Sequence, residues 1–383
     1  MTIYLDHAAS TLLAPEVAAA MRPYLLTGGV NPASAHDPGR AAAAAVEMAR
    51  GQAAAAIGAG PGDLLWTSGA TEANNLAILG SAAFRTRPAH MVSVVTEHPS
   101  VREPLRALER RGWAVSWLEV DRDGRIDIDG LAAALRPDTV LVSIMAVNNE
   151  TGVRQDLAAV AAQLEDRDVA LHVDAAQGLV DVDAIGASLV SLSAHKMGGP
   201  QGVGALYVRR RPATRLAPLY YGGGQERGLR PGTVAVHLVV GMGQALALVA
   251  EQRLREQPRL AGLREALWQR LAATAGITRN GQAQHCAAHI LNVSVAGVHG
   301  EALLAALSWG QPGLAVSSGS ACASAAQTSS YVLRAMGRSS AEAAAGIRFS
   351  FGRTTCSSGI ERAAERVVAE IERLRCMAPE TLA

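Results

Sequence analysis

The chain has 383 residues, room for two or three domains at roughly 150 residues each, and its 35 Lys and Arg against 34 Asp and Glu leave a formal net charge of +1. So even a balance excludes the basic footprint that holds nucleic acid or an anionic membrane. The apolar runs are broken by Gly, Pro or charge well short of the ~18 residues that a membrane span needs, and Met1 to Ala20 carries Asp6, His7 and Glu16 instead of the basic and apolar regions of a secretory signal, so the expected compartment is the cytoplasm.

Short apolar runs alternating with longer Ala- and Leu-rich stretches predict an α/β domain with a largely parallel sheet. In chain order, Arg40 to Ile57 reads as a helix, Asp63 to Thr67 as a short strand and Thr71 to Gly80 as a helix. Strands at Met91 to Thr96, Ala114 to Val120 and Val140 to Val147 enclose helices at Pro99 to Arg111 and Ile128 to Leu135. A helix at Asp156 to Glu165 leads to strands at Ala170 to Val173 and Leu189 to Ser193, and the Gly-flanked run Gly204 to Val208 reads as a hairpin-like return. After a connector at Arg209 to Pro218, Val234 to Arg270 is a long helical stretch with a break expected near Pro258, the place for a hinge into a second domain. Beyond it, strands at Ile290 to Val295, Ala315 to Ser318 and Ile347 to Phe351, a helix at Gly300 to Leu307, and Ile360, Val367, Val368, Ile371 and Leu374 at helical spacing predict an α+β second domain.

Of the 35 basic side chains only Lys196 is a lysine. Arginine serves wherever positive charge or an apolar stem is wanted, so a lysine that survives an Arg-rich composition invites a role that needs an amine: losing its proton near neutral pH and attacking a carbonyl to form a Schiff base. The competing explanation is one surface lysine left by chance. Cys286, Cys322, Cys356 and Cys376 form no C-x-x-C pair, which disfavours a zinc ribbon or a disulfide framework. His285, Cys286 and His289 lack a fourth ligand, and no metal is expected.

In open α/β sheets ligands sit beyond the carboxyl ends of the strands. One predicted strand ends in Asp174-Ala175-Ala176-Gln177 and the next in Ser193-Ala194-His195-Lys196. A carboxylate beside an amine suits pyridoxal phosphate, whose ring nitrogen needs an acidic partner and whose aldehyde needs the lysine. The run Thr67-Ser68-Gly69-Ala70-Thr71-Glu72 follows a strand and opens a helix, where small residues let backbone N–H groups approach a phosphate. The same letters also suit a Ser/Thr helix cap. His98, just past a strand end, has the size to lie on a cofactor ring or can be structural. Gly58 to Asp63 and Gly241 to Leu246 lack the final small residue of a dinucleotide fingerprint, and the setting of the single lysine excludes a Walker A loop. Cys322 sits among small polar residues, Ser317 to Ser324, the setting of an accessible thiolate more than of a buried structural thiol.

Together these residues resemble the cysteine desulfurases, the class V branch of the fold type I pyridoxal phosphate enzymes. The resemblance runs from Tyr4-Leu5-Asp6-His7-Ala8-Ala9 through Thr67 to Asn75, Glu97-His98-Pro99, Val147-Asn148-Asn149-Glu150, His172 to Gln177 and Ser193 to Lys196. It continues through Gln225-Glu226-Arg227, Arg230-Pro231-Gly232-Thr233, Leu291 to Ser294, Ser317 to Cys322 and Ile347 to Arg353. It implies an α/β large domain with a mostly parallel seven-stranded sheet over residues 15–255, and a smaller α+β domain formed by residues 1–14 and 256–383.

The resemblance also implies roles. Lys196 holds the cofactor, Asp174 pairs with its ring nitrogen, Gln177 bonds its phenolic oxygen and His98 stacks on the ring. Ala70, Thr71, Ser193 and His195 hold the phosphate, with Thr233 reaching in from the other subunit of a homodimer. Asn149 and Arg353 grip the α-carboxylate of L-cysteine, a planar anion suited to a bidentate guanidinium. Lys196 then acts as general base, and the Cys322 thiolate takes the sulfur as a persulfide, with His98 or the surroundings of the loop helping to remove the thiol proton. The long segment from Cys322 to Ile347 resembles the long-loop group, which passes persulfide sulfur to partner proteins.

Two departures bear on partners. Ala325 to Ser330 replaces the Glu-Pro that family members often carry after the loop cysteine, and the sequence ends soon after Arg375 without the longer tail that docks an iron–sulfur scaffold. The expected acceptor is therefore specialised: a dedicated iron–sulfur scaffold, a tRNA-thiolating enzyme or DNA phosphorothioation machinery. The rival readings are a selenocysteine lyase or related lyase that needs no loop thiol, and a non-catalytic relative that keeps the fold as a scaffold.

Overall fold

The computed structural model describes residues 2–26, 30–210, 214–318 and 329–377. In chain order, β1 (Ile3–Tyr4) and α1 (Pro15–Leu26) precede α2 (Asp37–Ala55), β2 (Leu64–Thr67), α3 (Ala70–Ala83), β3 (His90–Val94), α4 (Pro99–Glu109) and β4 (Ala114–Leu118). Then come α5 (Ile128–Ala134), β5 (Thr139–Met145), α6 (Leu157–Leu164), β6 (Ala170–Asp174), β7 (Leu189–Ser193) and β8 (Gly204–Val208). The remainder is α7 (Val236–Ala272), β9 (Ile277–Arg279), β10 (Ile290–Val295), α8 (Gly300–Trp309), β11 (Leu314–Ala315), α9 (Tyr331–Ala335), α10 (Ser340–Ala344), β12 (Gly346–Ser350) and α11 (Ser357–Met377). The elements expected between residues 40 and 208 all appear, most of them a residue or two shorter at the ends. Those not anticipated are short, or, like α1, carry an internal proline, Pro23, that hides the helical pattern.

A seven-stranded sheet runs in the order β2-β8-β7-β6-β5-β3-β4. Strands β7, β6, β5, β3 and β4 pair in parallel, and β8 lies antiparallel to both β7 and β2. Only β8 therefore runs backwards, as its Gly-flanked sequence suggests. The strands are nearly continuous runs of Val, Ile and Leu because helices cover both faces. On one face Val92, Val142, Val173 and Val190 pack with α2, α6 and the first half of α7, and on the other Met91, Leu141, Leu189 and Leu206 pack with α3 and α4.

A second core forms around the antiparallel sheet β12-β10-β9, where Leu291, Val293, Ile347 and Phe349 meet Leu263, Leu267 and Leu271 of α7 and Val367 and Ile371 of α11. The N-terminus joins this core: β1 pairs with β11, and Leu5 is fully buried there.

The expected break at Pro258 is absent. Helix α7 runs 37 residues without interruption, with Pro258 inside it. Proline removes one backbone hydrogen bond and crowds the preceding turn, but its neighbourhood, residues 250–259, is largely solvent-exposed, where water satisfies the freed carbonyl. Burial of Val239, Met242 and Leu246 in the first core and of Leu263, Leu267 and Leu271 in the second fixes the helix on both sides of the proline.

Candidate active site

Because β2, β3, β5, β6 and β7 run the same way, their carboxyl ends open at one edge of the sheet, into a cavity of about 530 Å³. Asp174 closes β6 on its floor. It is 7% exposed, its Oδ1 accepts the backbone N–H of Ala176 at 2.9 Å and its Oδ2 accepts an N–H of Asn74 at 2.8 Å. Two donors, one per oxygen, keep this carboxylate an acceptor. Strand β7 runs into a single 3₁₀ turn, Ala194–Lys196, which sets Ser193, His195 and Lys196 on the same wall.

The N-terminal segment holds that turn. Thr11 donates its backbone N–H and its hydroxyl to the His195 carbonyl, each at 2.8 Å, and the Thr11 oxygen accepts the N–H of Gly198 at 2.7 Å. His195 Nδ1 lies 3.2 Å from Ser10 Oγ, and Gln177 donates to the Ala8 carbonyl at 2.8 Å. Burial pushes the His195 imidazole below its ordinary pKa, with Lys196 adding to the effect.

At the phosphate-like corner the cap residue of α3 is Gly69, which makes no side-chain cap bond, so the Ser/Thr cap reading does not describe this helix. The first residues of the helix, Ala70 and Thr71, line the cavity. A Cβ built on Gly69 meets no protein atom within 4 Å and would occupy open space, whereas one on Gly204 of β8 comes within 2.6 Å of the Gly69 backbone. Glycine at 204 is what lets β8 lie against this loop. Glu72 ties the corner down by accepting from Ser68 N at 2.6 Å, Tyr220 at 2.5 Å and Arg230 at 2.9 Å.

His98 and Asn149 complete the wall. The Asn149 Oδ1 is buried with no hydrogen-bond partner, and unsatisfied buried acceptors are uncommon unless a ligand group meets them. Burial holds His98 below its ordinary pKa; Asp174 opposes the shift and Lys196 adds to it. An amine, an acceptor-only carboxylate, an uncapped helix N-terminus with two hydroxyls and an unpaired amide oxygen are together a donor and acceptor set that fits pyridoxal phosphate and an amino acid.

Two expected residues lie elsewhere, and Cys322 falls outside the described residues. Thr233 is exposed and does not line the cavity of its own chain. Arg353 does not line this cavity: its guanidinium forms a fork with the Glu16 carboxylate at 2.9 and 3.0 Å, its side chain is 43% exposed, and it lines an adjoining cavity of about 490 Å³ that Lys196 and Gln177 also line.

The guanidinium on the candidate cavity is Arg348, with a side chain 5% exposed. It donates to the Asn149 carbonyl at 2.7 Å and to Asp6 at 2.9 Å, and its Nε is buried without a partner. Period-two alternation along β12 is the signal that finds it: Ile347 and Phe349 point into the second core, so Arg348 faces away from it. Among the described residues no three His, Cys, Asp or Glu side chains gather where an ion would sit.

Both flanks of the segment that contains Cys322 are tied to the cavity wall. Ser317 exchanges backbone hydrogen bonds with Arg348 at 2.7 and 3.3 Å. Ser330, the cap of α9, donates to Glu150 Oε2 at 2.5 Å, and Tyr331 donates to the Glu97 carbonyl at 2.7 Å beneath the Arg102 guanidinium.

Burial raises Glu150 from 4.5 to about 6, against the lowering effects of Ser330, Arg348 and Arg102. A carboxyl whose folded pKa lies above its unfolded value stabilises the fold below the unfolded value and loses that contribution as pH rises through the folded one. Between about pH 4.5 and pH 6 the loss amounts to about 2 kcal/mol. The Glu150→Gln variant is therefore expected to gain up to that much stability at neutral pH, where urea midpoints are compared, and to show a flatter stability profile across that window. An unchanged profile would refute the burial argument.

The aminotransferase class-V family model matches residues 3–363. A cysteine desulfurase IscS of Photorhabdus laumondii is 46% identical over 387 residues, covering 99% of this chain and 95% of that protein. Among solved structures, a NifS-like protein superposes with a TM-score of 0.90 at 29% identity, covering 98% of this chain and all (100%) of that one. SspA in complex with cysteine superposes with a TM-score of 0.80 at 34% identity, covering 91% and 99%.

Proposed function

The chain belongs to the aminotransferase class-V family, and from that membership we propose its reaction: it is a pyridoxal-phosphate-dependent cysteine desulfurase that takes L-cysteine, releases L-alanine and keeps the sulfur on Cys322 as a persulfide. The observation that carries this reading is the convergence of Lys196, Asp174 and the uncapped N-terminus of α3 on one cavity at the carboxyl ends of parallel strands. When bound, pyridoxal phosphate supplies an electron sink for the carbon skeleton of the substrate.

The chain's own groups do the rest. Lys196 would hold the cofactor and move the proton at the substrate Cα. Asp174 would hold the ring nitrogen, Gln177 the phenolic oxygen and His98 one ring face. The N–H groups at Ala70 and Thr71, with Ser193 and His195, hold the phosphate, and Thr233 of the partner subunit adds a hydroxyl in a homodimer. Arg348, in place of Arg353, and Asn149 fix the α-carboxylate. The Cys322 thiolate attacks the substrate sulfur; the carbon–sulfur bond breaks, its electron pair stays with carbon and is protonated there, and the products balance as alanine and a protein persulfide.

Two domains, residues 15–255 and residues 1–14 with 256–383, frame this site. The sulfur then passes to a dedicated acceptor protein in the cytoplasm, of the iron–sulfur scaffold, tRNA-thiolating or DNA-phosphorothioating kind. No helix among the described residues is long and apolar enough to cross a membrane.

The test is alanine and sulfide release from L-cysteine, with a reductant present, by the parent and by Cys322→Ala, both carrying cofactor. The parent should make both products and the variant neither. Full activity in the variant would point to a lyase of the selenocysteine lyase type, and an inactive parent to a scaffold.

A further inference from the structure

More than packing holds the His98 imidazole. His98 caps α4, and its Nδ1 accepts the backbone N–H of Ser100 at 3.1 Å while lying 2.7 Å from Ser100 Oγ. Asn74 Nδ2 donates to Ser100 Oγ at 2.8 Å and to Asp174 Oδ2 at 2.8 Å.

The groups at the two ends of this chain set the directions of its hydrogens. A carboxylate only accepts, so Asn74 must turn its NH₂ group toward Asp174, and its second hydrogen is then the one that reaches Ser100. The Ser100 oxygen has room to accept twice, but the Ser100 backbone N–H can only donate, which makes Nδ1 an acceptor and turns the Ser100 hydroxyl hydrogen toward it. With the Ser100 backbone N–H, that makes two donors on Nδ1, and a neutral imidazole so bonded carries its hydrogen on Nε2.

We infer that Asn74 and Ser100 are positioning residues that lock His98 as a neutral imidazole protonated on Nε2, so that it serves the reaction as a fixed hydrogen-bond donor and not as the base that takes a thiol proton. Nε2 already bears its hydrogen and Nδ1 is saturated, so neither nitrogen is open to a proton. Imidazolium would set an Nδ1 hydrogen against two donors at the N-terminus of a helix, where positive charge is disfavoured. Of the charged groups facing the ring, Asp174 from β6 favours the cation, while Lys196 beyond β7 opposes it; Arg348 lines the same cavity but is paired with Asp6. A neutral imidazole kept so by a helix N-terminus polarises a substrate group without titrating. Proton movement then falls to the amine of Lys196.

The role in turnover rests on the desulfurase reading; the tautomer does not. In ¹⁵N-histidine-labelled holoenzyme, the His98 signals, identified by their loss in His98→Gln, should show a pyridine-type Nδ1 and a pyrrole-type Nε2, with no titration between about pH 6 and about pH 8. In Ser100→Ala, part of the population should move its hydrogen to Nδ1, and the acid limb of kcat should shift upward by about one pH unit, with Ser100→Thr restoring both. A pyrrole-type Nδ1 in the parent, an imidazolium titrating in that range, or a Ser100→Ala spectrum identical to the parent's would overturn the inference. The tautomer is read without turnover, so a failed alanine assay leaves it standing, and a wrong tautomer leaves the desulfurase reading standing.

Discussion

Replacing Lys196 by arginine is expected to lower alanine formation from L-cysteine by about 10⁴-fold or more, the scale on which a covalent attachment point and a general base are lost together. Arginine keeps the positive charge and a comparable stem, so packing is nearly preserved. What it loses is the ability to shed a proton near neutral pH. Borohydride reduction sharpens the measurement, because Lys196 is the only lysine in the chain. Reduced parent should carry the cofactor on the peptide containing residue 196, and the arginine variant on no peptide. Cofactor fixed elsewhere, or an arginine variant within about tenfold of the parent, would remove Lys196 from the centre of the reaction.

That Lys196 and Asp174 can be read from the sequence at all follows from their position. Each closes an apolar run at the carboxyl end of a parallel strand, so a local pattern and one rule about open α/β sheets are enough to pair them. The start of α3 is legible for a similar reason, since Thr67 to Glu72 is a single strand-to-helix passage, although only the structure shows Gly69 at the N-cap without a side-chain bond.

The contacts that hold the cavity walls are not local. Asn74 reaches Asp174 across 100 residues and Ser100 across 26, and Thr11 reaches His195 across 184. No spacing rule joins positions that distant, and a polar residue on a helix face reads as solvated until its partner is known. Pro258 shows the opposite failure: a local rule predicts a break, and burial of both ends of α7 in separate cores overrides it.

Arg348 and Arg353 test how far local reasoning carries. They stand five positions apart, and a composition argument cannot choose between them for the substrate carboxylate. Strand geometry favours the proposed Arg348: it lies within β12 on the face opposite Phe349, while Arg353 lies past the strand's end and is paired with Glu16. Hydrogen bonds to a charged group contribute about 1.5–3 kcal/mol, so Arg348→Ala is expected to raise the KM for L-cysteine by about 10- to 150-fold. Arg353→Ala, which breaks a half-exposed surface pair, should change KM by less than about threefold.

Loss of the Arg348 bonds to Asp6 and the Asn149 carbonyl could mimic that result by loosening the wall, so a ligand without the carboxylate supplies the control. The parent should bind L-cysteine much more tightly than cysteamine, Arg348→Ala should bind the two about equally, and Arg353→Ala should keep the parent's preference. If the preference vanishes in Arg353→Ala and survives in Arg348→Ala, the carboxylate sits in the adjoining cavity, and the substrate approaches Lys196 from the side that Glu16 and Arg353 close.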